Sequence, residues 1–170
     1  MRQLRLHRAS LEADAPTYPA GYIFRRFAEA DADGLRQVLE ACFEESDWGD
    51  ANLGPQTFAH PKGIGCFVVA SPRGIAATVT GLVWPDAPHE GYVHYIGVHP
   101  DHRGLHLGRL ALLSLFQQFR SHGLSESILD TDDWRLPAIR TYLNLGYVPR
   151  IVEEGQEGRW AAVMDALSTT

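Results

Sequence analysis

The chain has 170 residues, 45% of them hydrophobic, a formal net charge of −6 and two cysteines. That length suits one domain with a real core, and the acidic balance argues against a general nucleic-acid binder, which needs a basic face. Cys42 and Cys66 form neither a CxxC pair nor a disulfide framework, which points to a reducing compartment. No apolar run is long enough for a secretory signal or a membrane span, so a cytoplasmic protein without a membrane partner is expected.

Residues 1–20 read as an N-terminal arm in which Gln3–His7 forms an extra edge strand, followed by a Pro- and Ala-rich linker from Ala9 to Gly21. Residues 21–152 form the main domain, and residues 153–170 a C-terminal helix. Tyr22–Phe27 is a first strand. Asp31 is expected to cap a helix with Leu35, Val38, Leu39, Cys42 and Phe43 on one face. The acidic stretch Glu44, Glu45, Asp47 and Asp50 surrounds Trp48, and Ala51–Gly65 is turn-rich, with a short helical turn near Gln56–His60. Cys66–Ser71 and Ile75–Trp84 pair as a hairpin across Pro72–Gly74. Gly91–Val98 is the next strand, then a helix runs to about His122, then the strand Ser127–Thr131. A helix over Leu136–Leu145 has Pro137 in its first turn and Gly146 beyond its end. A strand at Tyr147–Val152 and a helix over Gln156–Leu167 close the chain, the latter with Trp160, Val163, Met164 and Leu167 at helical spacing. This order predicts an α/β fold: a mixed, mainly antiparallel central sheet with helices on both faces. Its fourth and fifth strands in this count pair in parallel where they splay, and a ligand is expected there.

The segment from Val98 to Leu110, Val-His-Pro-Asp-His-Arg-Gly-Leu-His-Leu-Gly-Arg-Leu, is a strand end, a polar turn and a helix start. Unpaired N–H groups at a helix start, aligned with the helix dipole, favour an anion. Gly104 and Gly108 let a phosphate approach the backbone, and Arg103 and Arg109 add charge. It is not a Walker loop, since no Gly-Lys-Ser/Thr follows, and the glycine spacing is wrong for a dinucleotide fingerprint.

Val98, Pro100, Arg103, Gly104, Gly108 and Leu110 resemble the Val-x-Pro-x-x-Arg-Gly-x-Gly-x-Gly pyrophosphate loop of the GNAT acyltransferase superfamily. Ala138–Tyr147 resembles that family's Ala-x-x-x-Tyr-x-x-x-Gly-Phe/Tyr segment. The chain departs from the pattern at His106, where a glycine is usual, and at Arg135, where an asparagine is common. The resemblance implies an N-acetyltransferase that uses acetyl-CoA or another acyl-CoA as co-substrate, with no metal. It implies cofactor contacts from Ile96, Gly97, Val98, Arg103, Gly104, Leu105, His106, Leu107, Gly108, Arg109, Arg135, Ala138 and Tyr142. The acceptor would be a primary amine of a small molecule or peptide, and the protein a monomer or homodimer. The rival expectation is a non-catalytic acyl-CoA-binding or sensing module, and a nucleotide-phosphate binder ranks third.

For the chemistry, His94 is the first candidate for managing the amine proton, because it shares a strand face with Tyr92 and Ile96 and has an ordinary pKa near working pH. A histidine packed in the sheet is the bland alternative. Glu90 and His89, at the strand entry, would act through water. Tyr142 matches the family's general acid for the departing thiolate. His99, His102 and His106 invite a metal reading, but Pro100 and Gly104 break any common face. The run Asp130–Asp133 is expected to cap the next helix, and the carboxylates beside Trp48 to line an acceptor pocket for a cation.

Overall fold

The computed structural model describes residues 3–169, leaving Met1, Arg2 and Thr170 outside the description. Its seven strands are β1 (Leu4–Arg8), β2 (Ile23–Arg26), β3 (Gly63–Ser71), β4 (Gly74–Trp84), β5 (Ala87–Val98), β6 (Glu126–Thr131) and β7 (Val148–Arg150). They form one sheet in the order β2-β3-β4-β5-β6-β1-β7. Every neighbouring pair is antiparallel except β5–β6. That parallel pair runs only from Glu90↔Glu126 to Val93↔Leu129, so from His94 and Asp130 onward the two strands part. The helices are α1 (Ala32–Cys42), α2 (Asp50–Gln56), α3 (Leu107–Ser121), α4 (Leu136–Asn144) and α5 (Gln156–Ser168).

The glycines show how closely the layers approach. A Cβ on Gly81 would lie 2.8 Å from the Phe119 ring, and one on Gly91 2.4 Å, so α3 sits directly on one face of β4 and β5. On the opposite face a Cβ on Gly97 would meet Cys42 Sγ at 3.0 Å, at the end of α1. The main core, with Leu4, Leu6, Leu112, Phe116, Phe119 and Leu129, lies on the α3 side. A smaller one, Leu35, Leu39, Trp48, Leu53 and Cys66, lies under α1 and α2.

Four local expectations are corrected. The N-terminal strand is internal rather than at an edge: β1 bonds to β6 on one side and β7 on the other, because Leu4 and Leu6 bury completely while Arg5 and His7 take the polar face. The short helix lies at Asp50–Gln56 rather than near Gln56–His60, with Asp47 Oδ1 accepting from the Gly49 N–H just before it and Pro55, which cannot donate, near its end. Asp31 precedes α1 but makes no side-chain cap; its carboxylate is taken by Arg25, at 2.5 and 2.8 Å, and by the Ala28 N–H. The run Asp130–Asp133 does not cap α4 either. Asp130 holds Arg5, Asp132 holds Gln3 and Arg135, and Asp133 holds Arg159, which ties this loop to β1 and α5.

Candidate active site

The turn between β5 and α3 is built as an anion cradle. A 3-10 turn at Pro100–His102 ends the strand, with the His102 ring fixed by the Tyr22 hydroxyl at 2.9 Å. Among the described residues, no backbone N–H from Gly104 to Arg109 finds a protein acceptor; the first closing bond is Leu110 N–H to His106 O, 3.1 Å. These are the unpaired donors of a helix start, where the helix dipole favours negative charge. Gly104 is left-handed with open space around its Cβ position, and Arg103 and Arg109 are exposed with no carboxylate partner among the described residues. His106 stands at φ 53, ψ 24, the left-handed conformation that favours glycine. Its exposed ring lies beside a groove formed with Thr17, Tyr18, Leu105 and Arg109. None of His99, His102 and His106 belongs to a metal-ligand group among the described residues.

The backbone of β5 leads from this cradle to the point where the sheet closes. His99 N–H bonds to Ala76 O, so Val98 and Ala77 form a non-hydrogen-bonded pair. The N–H and C=O of Val98 therefore face away from β4, into the splay. Cys42 Sγ donates weakly to the Val98 carbonyl at 3.3 Å. Farther along, the register shifts between Thr78↔Gly97 and Thr80↔His94, so Tyr95 and Ile96 face the single residue Val79. Tyr95 is left-handed there, φ 45, held by a 2.7 Å bond from its hydroxyl to Gln56 Oε1. Bulges and left-handed non-glycine residues cluster at functional sites.

His94 lies at the closing point of the splay, its ring 4.0 Å from Tyr95 and 5.9 Å from both His60 and Tyr92. Among the described residues its nitrogens make no hydrogen bond. Burial pushes its pKa down to about 4, with a smaller contribution from His60, so the ring is neutral at physiological pH. Tyr142 approaches from α4 on the other side of the sheet. Its ring packs 6.1 Å from Tyr147, its hydroxyl finds no partner among the described residues, and burial raises its pKa to about 12.

The other expected residues are placed differently. Glu90 shares the His94 face four residues earlier, about 13 Å away along an extended strand, within the closed part of the sheet. It is bound to Arg150 at 2.5 Å. Beside it Glu126 bonds to His7 at 2.6 Å, and these three ligand-type side chains lie within 4.8 Å of one another. Arg135 does not face the splay freely: its guanidinium donates to Cys42 O (3.1 Å), Glu45 (3.3 Å) and Asp132 (3.2 Å), and lies 4.9 Å from the Phe43 ring centre. It straps the β6–α4 loop to the end of α1. Glu45 is thereby occupied, and Asp47 is engaged by Gly49 and Asn52. Sequence reasoning missed Tyr95, Phe43 and the Tyr92–Asp130 hydrogen bond of 3.2 Å. Phe43 was placed only on the apolar face of the first helix and Trp48 only among carboxylates; that a bulge brings Tyr95 against both rings follows from the tertiary structure.

A helix start with free donors, an outward-facing strand edge and a parallel pair that opens beside them occur here in one chain. Residues 32–147 match the acetyltransferase (GNAT) family. The chain belongs to that family. Mycothiol acetyltransferase of Nocardia farcinica (strain IFM 10152) is 27% identical over 164 residues, which cover 89% of this chain and 53% of that protein. Mycothiol acetyltransferase of Thermobispora bispora is 35% identical over 81 residues, 42% of this chain and 27% of that protein. The chain thus spans about half or less of the length of the curated relatives it matches. The crystal structure of a GCN5-related N-acetyltransferase from Sphaerobacter thermophilus superposes with a TM-score of 0.67 at 20% identity, covering 88% of this chain and 50% of that one. The ribosomal-protein-S18-alanine N-acetyltransferase of Escherichia coli gives 0.62 at 16% identity, covering 79% and 97%. At that identity the likeness is one of fold. Among the described residues of this GNAT protein no helix is long and apolar enough to cross a membrane.

Proposed function

We propose that this GNAT protein transfers the acetyl group of acetyl-CoA to a primary amine by direct attack in a ternary complex. The observation that carries the reading is the alignment along β5 of the donor-rich cradle, the outward-facing Val98 backbone and the neutral His94. The residues fit the co-substrate: the unpaired N–H groups of Leu105–Arg109 with Arg103 suit a pyrophosphate, and the Val98 edge suits an extended amide-bearing arm. Acetyl-CoA, when bound, supplies an activated thioester. A cytoplasmic setting is supported by the free thiols of Cys42 and Cys66. Residues 21–152 are taken as the catalytic unit, its sheet completed by β1.

His94 acts on the proton at a particular stage. An ordinary ammonium has a pKa near 10.4, so transfer to a ring of pKa about 4 is uphill by roughly 9 kcal/mol. The ammonium therefore gives its first proton to solvent, at a cost of roughly 4–5 kcal/mol at pH 7. The free amine nitrogen attacks the thioester carbon, its lone pair forming the C–N bond. Bond formation acidifies that nitrogen, and His94 accepts its second proton as the C–S bond breaks. Tyr142, protonated across the working range, donates its hydroxyl proton to the departing sulfur. The Tyr142→Phe variant is expected to lower kcat about 10²-fold with little change in KM for acetyl-CoA. An unchanged kcat removes Tyr142 from the mechanism.

The carboxylates of this acidic chain favour a cationic acceptor. The relatives named mycothiol acetyltransferases add a mycothiol-related amine to the candidates. The test is release of CoA thiol from acetyl-CoA in the presence of polyamines, amino acids, aminoglycosides, peptide amines and mycothiol-related amines. Acceptor-dependent release is expected, whereas calorimetry showing no binding of CoA or acetyl-CoA to folded protein overturns the reading.

The left-handed His106 gives a separate expectation. Its backbone strain costs about 1 kcal/mol, partly offset in a glycine variant by the greater freedom of the unfolded chain. His106→Gly is expected to raise stability by about 0.5 kcal/mol, with acetyl-CoA affinity equal or better. Melting and calorimetry check both, and a large loss of affinity would show that the imidazole itself binds the phosphates.

A further inference from the structure

The geometry points to Tyr95, with Phe43 and Trp48, as the stop that limits the donor to a short acyl chain. This rests on the acetyl-transfer reading above. An extended arm running along the Val98 edge toward His94 meets the reclosed sheet at Val93↔Leu129, so its reactive end cannot continue in the plane of the strands. On the α3 side there is no room at this level, because Gly81 and Gly91 already lie against Phe119 and both Phe119 and Val93 are buried. The acyl carbon must turn to the face that bears His94.

On that face the α1 side is closed by aromatic rings. Phe43 and Tyr95 have ring centres 5.1 Å apart, Trp48 and Tyr95 4.7 Å, and Phe43 and Trp48 6.2 Å. Trp48 is 2% exposed and donates its Nε1–H to Phe43 O at 3.1 Å, which fixes it under the end of α1. Tyr95 is fixed from the other end by Gln56 and by a left-handed backbone that only over-determined surroundings sustain. The bulge sets its ring between His94 and the Phe43–Trp48 pair. A two-carbon acyl group ends before this cluster. A longer chain must either enter it or cross the open side of His94, where the amine arrives.

The test needs no knowledge of the acceptor. Calorimetry measures the affinities of free CoA, acetyl-CoA and butyryl-CoA for the wild-type chain and for Phe43→Ala and Tyr95→Gly, the latter tolerating φ 45 without strain. The wild type is expected to bind butyryl-CoA about tenfold or more weakly than acetyl-CoA, with both variants bringing the ratio toward one. Phe43→Leu, a milder change should either variant fail to fold, shifts it in the same direction by a smaller factor. Equal wild-type affinity for the two thioesters, or a ratio indifferent to folded variants, overturns the acyl stop while leaving acetyl transfer standing. No binding of any of the three by the wild type overturns both.

Discussion

Replacing His94 with glutamine is expected to lower kcat about 10²–10⁴-fold while acetyl-CoA binding, measured by calorimetry, stays within a factor of about two to three of wild type. The imidazole touches none of the cradle donors, so its loss removes a proton acceptor rather than an anchor. Because its pKa is about 4, His94 stays neutral throughout the range in which an amine acceptor begins to ionise. The acid limb of kcat/KM is therefore set by the ammonium, with activity rising toward the pKa of the acceptor, and His94→Gln lowers the curve without moving that limb. A limb near pH 6.5 in the wild type that vanishes in the variant would contradict the buried, neutral ring.

The same residue links stability to pH. Its folded pKa lies below the value of about 6.5 for an unfolded histidine, so the unfolded chain binds the proton first as pH falls. Its contribution is complete above pH 6.5 and is lost progressively between about 6.5 and about 4, by at most about 3 kcal/mol. Burial lowers the pKa values of His60 and His102 as well, with the same sign. Denaturant titrations at stepped pH should show His94→Gln losing less stability across this window than wild type. Equal losses would place the titration elsewhere.

Gly91→Ala is expected to be the most damaging single methyl group. Its Cβ would stand 2.4–2.6 Å from three atoms of the Phe119 ring, a side chain with no exposure. Either the ring leaves its place beneath β5 or α3 lifts from the sheet. Overpacking of this kind costs about 1–3 kcal/mol, and for a domain of this size that lowers Tm by roughly 3–10 °C. Gly158→Ala in α5 is the opposite case, since its Cβ meets nothing within 4 Å. It should raise stability by up to about 1 kcal/mol through helix propensity. A Gly91→Ala protein that melts with the wild type would overturn the packing of α3 on β5.

Much of the fold was legible because it depends on patterns that repeat over short distances. The helical spacing of Leu107, Leu110, Ala111 and Leu115, the Pro72–Gly74 hairpin and the glycines after Val98 each signal a local conformation that one segment can adopt. Two motifs in the right order then sufficed for the family, which the match over residues 32–147 bears out. Less could be said of the site. Alternation put His94 on one face with Tyr92 and Ile96, but the bulge at Tyr95 turns Ile96 toward the main core. Periodicity also carries no information about where a parallel pair stops, and that stop leaves His94 at the opening and Glu90 in an ion pair with Arg150.

From sequence alone came the element order, the anion cradle and the family itself. Only tertiary structure decided that β1 lies between β6 and β7, that Tyr95 turns left-handed at a bulge to join Phe43 and Trp48, and that Arg135 straps two loops. The physical reason is the range of the interactions. Backbone conformation and amphipathic faces follow from neighbours a few residues apart, whereas strand partnership, register and ring packing are settled between segments tens of residues apart.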